Sequence, residues 1–134
     1  MTCPHCSSDT EPVTFAVPDT YRELAPGDAA AARLCPRCLR VDPASDETAL
    51  EGESEFSRVS SAFPDGEGTV PFALLLELCS SLALNRAEIE RALEALERAG
   101  VDPLLTIDRL LAEPVIDPDI DLERRRHQLE QSVY

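Results

Sequence analysis

With 134 residues, the chain can form one compact domain or two small ones, and a stretch of about 50 residues is near the lower limit for holding a core unaided. Its 26 acidic residues outnumber 12 basic residues, all of them Arg, and the formal net charge is −14. So acidic a surface repels phosphate backbones and anionic membranes, and salt relieves its self-repulsion, which predicts a protein of a saline cytoplasm.

The sequence predicts a cytosolic protein. The N-terminus has no basic segment followed by an apolar run, and no stretch approaches the roughly 18 apolar residues that cross a bilayer. In a reducing cytosol, closely spaced thiols are typical of metal sites rather than of structural disulfides.

Two CxxC hooks organise residues 1–43: Cys3-Pro4-His5-Cys6 and Cys35-Pro36-Arg37-Cys38. Each hook places two thiols three residues apart on one tight turn, and two such turns can present four sulfurs to one ion at tetrahedral corners. Binding of such an ion releases about 10 to 16 kcal/mol of apparent free energy, enough to fold a segment with little core. All four corners would be sulfur, so we predict a closed structural site with no position for water or substrate. The predicted Zn²⁺ ligands are Cys3, Cys6, Cys35 and Cys38.

The other histidine, cysteine and arginine residues considered for the metal site are not predicted ligands. His5 is adjacent to Cys6, and joint ligation by neighbours is strained, so His5 is not a predicted ligand. Cys79 lies in an apolar segment, where an unpaired cysteine is typical of a small buried hydrophobe. Four thiolates around Zn²⁺ leave an excess of negative charge that nearby cations must moderate. The arginines placed for this role are Arg33, Arg37 and Arg40.

The first 43 residues are expected to form a zinc ribbon of β-hairpins. Residues 11–17 are a β-branched and aromatic run, which predicts a short strand, and residues 19–26 predict a helical turn or loop. The alanines at residues 29–32 favour helix by propensity. However, they lead directly into the second hook, so a hairpin across residues 35–38 is the preferred interpretation, and Pro43 ends it.

Residues 44–68 are predicted to be an acidic linker. Seven acidic residues face one Arg, with Ser and Gly between them, and such composition does not offset the entropy of ordering. The exception is a possible short helix at residues 54–63, where Phe56, Val59 and Phe63 recur at helical spacing behind a capping Ser54.

Residues 69–134 are predicted to form a small α-helical bundle. A first helix at residues 71–84 is apolar around most of its circumference, which indicates a central position. Asn85 and Glu88 predict an N-cap with a capping-box acid for the second helix, and Gly100 predicts its end.

Two further helices complete the predicted bundle. The Asp-Pro pair at residues 102–103 predicts the start of a third helix that ends near Glu113. Asp119 or Asp121 caps a last helix that reaches Val133. Because the apolar positions of this last helix are sparse, it is expected to fray at the edge of the bundle.

The sequence contains no recognisable catalytic constellation. It has no dinucleotide or phosphate loop, no HExxH and no GxSxG motif. The arginines at residues 124–126 fan across about 200° of a helix, so the pairs Asp121–Arg125 and Arg126–Glu130 are expected to be solvated ion pairs. We therefore predict that the protein is not an enzyme.

The two hooks resemble those of zinc ribbons. With the Lys-free acidic composition and the helical part, the chain resembles the small CPxC-type zinc-finger proteins of haloarchaea, many of them of unknown function. This resemblance, carried by residues 1–43, implies zinc at the four hook cysteines and an interaction or regulatory role. Many CPxC hooks have Gly after the second cysteine, where φ tends to be positive. Ser7 and Leu39 stand there instead, which predicts local strain or a different turn.

Three functional hypotheses follow, and the first is preferred. The protein is an adaptor in which a zinc module and a helical bundle serve to bind another protein. Alternatively, the hairpin arginines bind nucleic acid, as in some zinc ribbons. The third hypothesis is electron transfer, since the hook spacing is similar to the iron site of rubredoxins, but the chain has no Trp and lacks both expected glycines.

Overall fold

The computed structural model describes residues 3–44 and 55–132, and the fold is mixed α/β. Three antiparallel strands form one sheet in the order β1-β2-β3: β1 (Val13–Ala16), β2 (Ala31–Leu34) and β3 (Val41–Pro43). Four α-helices follow in the described part: α1 (Thr69–Leu78), α2 (Arg86–Arg98), α3 (Pro103–Leu111) and α4 (Leu122–Ser132). None of the helices in these ranges combines the length and apolarity that crossing a bilayer requires.

The second hook lies at the turn of a β-hairpin, which confirms the preferred interpretation. Strands β2 and β3 pair antiparallel, with Leu34 opposite Val41 on either side of residues 35–38. The alanine-rich segment is strand rather than helix because Ala31, Ala32 and Leu34 are completely buried in the sheet. Residues 19–24 form a 3-10 turn, as the prediction of a helical turn allowed.

The first helix is shorter than predicted. It ends at Leu78 rather than Leu84, whose side chain is 84 % exposed. The side-chain amide of Asn85 donates a hydrogen bond of 3.0 Å to the carbonyl oxygen of Leu78 and so satisfies the end of α1. Asn85 is the N-cap residue of α2, as predicted, but its side chain makes no bond to this helix, so the predicted capping box with Glu88 is wrong.

The junction between α2 and α3 is built as the sequence predicted. Gly100 has φ of 76°, its N–H donates to Glu97, and the N–H of Val101 donates to Leu96, which together terminate α2 in a Schellman motif. The Asp102 side chain accepts a hydrogen bond from the N–H of Leu105 at 3.1 Å and caps α3. This helix ends at Leu111, slightly before the predicted Glu113.

The last helix packs more firmly than its sparse apolar pattern predicted. Leu122 and Leu129 are 2 % and 0 % exposed. Of the two candidate caps, Asp121 accepts a hydrogen bond from the N–H of Arg124. The Arg126–Glu130 pair forms, but Arg125 donates to Gln128 instead of pairing with Asp121. The predicted end at residue 133 lies outside the described residues.

One hydrophobic core runs through all parts of the described chain. The four phenylalanines form a row: Phe15 contacts Phe56, Phe56 contacts Phe63, and Phe63 contacts Phe72, with ring centroids 5.2, 4.8 and 5.2 Å apart. The predicted short helix is a 3-10 turn at Phe56–Arg58, and its proposed cap at residue 54 lies outside the described residues. The sheet and α1 are therefore bridged by the segment 55–68, while the domain boundaries at residues 43 and 68 stay predictions.

Candidate metal centre

The two hooks fold into the same turn, which we call the first knuckle (residues 3–8) and the second knuckle (residues 35–40). In the first, the N–H of Ser7 donates to the carbonyl of Cys3, and the N–H of Cys3 donates to Ser8. In the second, Leu39 donates to Cys35 and Cys35 donates to Arg40, with all four bonds between 2.9 and 3.0 Å. Each turn therefore presents both of its sulfurs on the same side.

The four sulfurs of the knuckles lie at the spacing of a tetrahedral metal site. The Sγ atoms of Cys3 and Cys38 are 3.6 Å apart, those of Cys6 and Cys35 are 3.8 Å apart, and all four lie within 4.8 Å of one another. Ligands about 2.3 Å from a central zinc give a tetrahedral edge of about 3.8 Å. A disulfide needs about 2.05 Å, so these are free thiols positioned to form a metal site.

The pKa of Cys3 in the first knuckle shifts in the opposite direction to those of the two cysteines in the second knuckle. Burial raises the pKa of Cys3, but the N–H groups of Cys6 and His5 and the Cys38 thiol outweigh it and lower this pKa to about 7. Burial raises the pKa values of Cys35 and Cys38 in the second knuckle. Ionisation of these two buried thiols therefore requires a compensating cation, which a bound metal supplies.

His5 lies outside the four-sulfur group. Its Nε2 atom is 2.9 Å and 3.1 Å from the two carboxylate oxygens of Asp42 on β3, and about a quarter of each side chain is exposed. The imidazole therefore fastens the first knuckle to the sheet. Cys79 is likewise remote from the site: it is completely buried in the core, and burial raises its pKa to about 12.

The three hairpin arginines do not share one role. The Arg40 guanidinium turns away to the helical part, where Nε and Nη2 donate to the two carboxylate oxygens of Glu77 at 2.9 Å and Nη1 donates to Asp119 at 2.9 Å. Its side chain therefore binds carboxylates rather than the thiols, whereas burial raises the pKa of the Cys38 thiol and the backbone N–H of Arg40 acts to lower it. Arg33 lines a cavity of about 20 Å³ beside Cys3 and Cys35, and Arg37 is exposed.

Sequence reasoning missed the residues that hold the second knuckle. Glu77, the only charged residue of α1, also accepts a hydrogen bond from the N–H of Val41 at 2.9 Å. In the α3–α4 connection, the N–H of Asp117 donates to the carbonyl of Arg37 at 2.7 Å, and that of Asp119 donates to Cys38 at 3.1 Å. A single acid in an apolar helix was the available signal, because such a group needs a partner when buried.

A model of a family of unknown function, DUF6276, matches residues 2–133. The chain belongs to this family. The match covers the knuckles and the helices alike, so the DUF6276 unit includes both. Searches of curated proteins and of solved structures each found no match.

In this DUF6276 chain, non-glycine residues adopt the positive φ that CPxC hooks usually assign to glycine. Ser7 has φ of 60° and Leu39 has φ of 62°. Ser7 is exposed, whereas Leu39 is 3 % exposed and belongs to the core. Burial of the Leu39 side chain therefore offsets the backbone strain at one knuckle, and nothing comparable does so at the other.

This difference predicts opposite effects of glycine at the two positions. Ser7→Gly is expected to stabilise the metal-loaded protein by about 0.5–1 kcal/mol, because relief of left-handed strain exceeds the entropy lost by glycine. Leu39→Gly should destabilise it by about 2–4 kcal/mol through the lost core packing. Thermal unfolding of the two variants and wild type tests this. Equal stabilisation by both changes would contradict the assigned role of Leu39.

Proposed function

We propose that this protein is a non-enzymatic, zinc-binding adaptor or regulatory protein that acts by binding another protein in a high-salt cytoplasm. The four-sulfur group carries the proposal. With every tetrahedral corner taken by sulfur, a bound ion has no open position for water or substrate, and its contribution is to stabilise the fold. Cys3, Cys6, Cys35 and Cys38 are the ligands of this zinc-ribbon centre.

Zinc is proposed over iron on the resemblance to haloarchaeal zinc ribbons and on the departures of this chain from the rubredoxin pattern. Four thiolates suit both ions at tetrahedral geometry. The chain has no Trp, and Ser7 and Leu39 replace the glycines expected of a rubredoxin.

Protein binding is proposed over nucleic-acid binding because one of the three hairpin arginines is already paired and the protein is strongly acidic. Arg40 is engaged by Glu77 and Asp119, so its charge is not offered to a phosphate. The overall charge of −14 opposes a polyanion, and high salt weakens each remaining phosphate contact.

Metal analysis of protein purified in molar salt tests the centre. We expect one zinc per chain by elemental mass spectrometry and a colourless solution. A ferric tetrathiolate absorbs visible light, so a red protein with stoichiometric iron would establish the electron-transfer alternative instead. Protein that folds without any metal would refute the structural role.

The nucleic-acid alternative is tested on the same preparation. Absorbance at 260 nm and a binding titration with single-stranded DNA are compared between wild type and an Arg33→Ala/Arg37→Ala double variant, which leaves Arg40 in its ion pairs. We expect no nucleic acid in either sample. Co-purifying RNA or DNA that disappears from the double variant would favour the alternative.

A further inference from the structure

An open groove of about 740 Å³ lies beside the second knuckle. We call it the knuckle groove. Two arginines, Arg37 and Arg58, line it together with an apolar set. That apolar set is Pro36, Pro114, Val115 and Ile116. The groove thus combines positive charge with apolar surface on a protein whose net charge is −14.

The two arginines are placed to meet carboxylates. Arg37 is exposed at the tip of the second knuckle, and within residues 3–44 and 55–132 its side chain has no hydrogen bond or ion pair. Arg58 donates one N–H to the carbonyl of Glu11, which positions its guanidinium without neutralising the charge. A guanidinium fork fits a carboxylate through two parallel hydrogen bonds.

The apolar part of the groove is held rigid before any partner arrives. Val115 is 70 % exposed, yet the next residue, Ile116, is 8 % exposed and packs in the core. The N–H of Ile116 donates to Glu113, and that of Asp117 donates to the Arg37 carbonyl at 2.7 Å. Because this turn is already ordered, binding of a partner over Val115 costs this chain little additional conformational entropy.

We propose that the knuckle groove binds an acidic, partly apolar segment of another protein. Carboxylates of the segment pair with Arg37 and Arg58, and an apolar side chain between them covers Val115 and Pro114. This inference rests on the proposed adaptor function and specifies the partner chemistry of that function. Apolar contact keeps its strength in molar salt, and the segment that covers Val115 also shields the two guanidinium–carboxylate pairs, which salt then screens much less than exposed pairs.

The groove fits nucleic acid and a second copy of the chain less well. Two arginines neutralise few phosphates, and none of the described residues that line the groove has an aromatic ring on which a base could stack. A second copy would bring together two bodies of net charge −14, whereas a short segment adds only its own few charges.

The test uses full-length protein in molar salt and a displayed library of random 12-residue peptides as the probe. We expect selected peptides to be enriched in Asp and Glu interspersed with aliphatic or aromatic residues. One selected peptide is then synthesised with a fluorophore and titrated by fluorescence anisotropy. Arg37→Glu and Val115→Ser should each weaken binding about tenfold or more, since each removes a charged or apolar contact. Arg98→Glu, an exposed arginine outside the groove, is the matched control and should leave affinity within about twofold.

Three results would overturn the groove proposal. The first is selection of peptides whose binding survives both groove substitutions. The second is binding of a 20-mer of deoxythymidine that depends on Arg37, without binding of acidic peptides. The third is a dimer in sedimentation velocity that depends on Arg37. Zinc content is measured on every variant. The peptide experiments therefore decide the groove, and the metal content decides the proposed zinc function independently.

Discussion

Replacement of Cys35 with Ala is expected to abolish stoichiometric zinc binding and to unfold the protein at temperatures where wild type is folded. Cys35 is 5 % exposed, and its Sγ is 3.8 Å from that of Cys6 across the two knuckles. A four-thiolate zinc site contributes about 10–16 kcal/mol of apparent free energy, comparable to the whole stability of a domain of this size, about 5–15 kcal/mol. Loss of one ligand therefore removes the largest single stabilising contribution. Zinc per chain and thermal unfolding followed by circular dichroism measure the effect.

Cys79→Ala is the matched control because this fifth cysteine is also buried but is not one of the four grouped thiols. Its side chain is completely buried among apolar groups. Removal of this sulfur should cost about 1 kcal/mol and leave one zinc per chain. Equal collapse of both variants would mean that lost packing, not lost metal, destabilises Cys35→Ala. Unchanged zinc binding in Cys35→Ala would mean that the four sulfurs do not form the site.

Local patterns were sufficient to predict the knuckles and the hairpin. The CxxC spacing sets two thiols on one turn, and the hook at residues 35–38 leaves the chain before and after it antiparallel. The roles of Gly100 at the end of α2 and of Asp102 as the cap of α3 were also predictable from sequence, because the hydrogen bonds that define them join groups no more than five residues apart. At these positions, sequence-local chemistry determines the structure.

Asn85 shows where local reading fails. Its amide is suited to cap the helix that follows, but the carbonyl of Leu78, which has no α-helical partner at the end of α1, lies within reach and accepts a hydrogen bond from it instead. Whether such an amide forms a hydrogen bond to the preceding helix or to the following helix depends on the path of the chain between the two helices. The bond from Asn85 to Leu78 therefore takes the place of the predicted capping box.

The partner of Arg40 was missed for a different reason. Its carboxylate, Glu77, is 37 residues away, so no local rule connects them. In sequence, Arg40 is close to the hook thiols. Whether its guanidinium binds a thiolate or a carboxylate depends on the packing of α1 against β3, which brings Glu77 within reach. Long-range packing thus set the electrostatic surroundings of a metal site whose ligands were predictable.

Replacement of Glu77 with Ala is expected to destabilise the protein by about 2–4 kcal/mol, since two N–H groups of the Arg40 guanidinium and the backbone N–H of Val41 lose their acceptor. Within the described part of the chain, Arg40 then keeps only its bond to Asp119. Glu77 and Arg40 side chains are only 17 % and 22 % exposed, and Glu77 accepts three hydrogen bonds of 2.9 Å. Because this pair is shielded from solvent, the loss should persist in molar salt. Chemical and thermal unfolding of metal-loaded protein measure it.

Glu130→Ala is the matched control for this ion pair. Glu130 pairs with Arg126 at 2.8 Å, but half of its side chain is exposed, so its removal should cost about 0.5 kcal/mol or less, and nothing measurable in molar salt. A similar loss in both variants would refute the special role of Glu77.

The Glu77 variant also tests whether the helices support the metal centre. Arg40 is the last residue of the second knuckle and Val41 follows it, so loss of their common acceptor should loosen the turn that carries Cys35 and Cys38. Metal ligands whose orienting contacts are removed typically lose about 10- to 100-fold in affinity. We therefore expect zinc transfer to a chromophoric chelator to accelerate by about tenfold or more in Glu77→Ala, and to be unchanged in Glu130→Ala. Equal transfer rates in wild type and Glu77→Ala, despite lower stability, would mean that the knuckle holds its ion without help from α1.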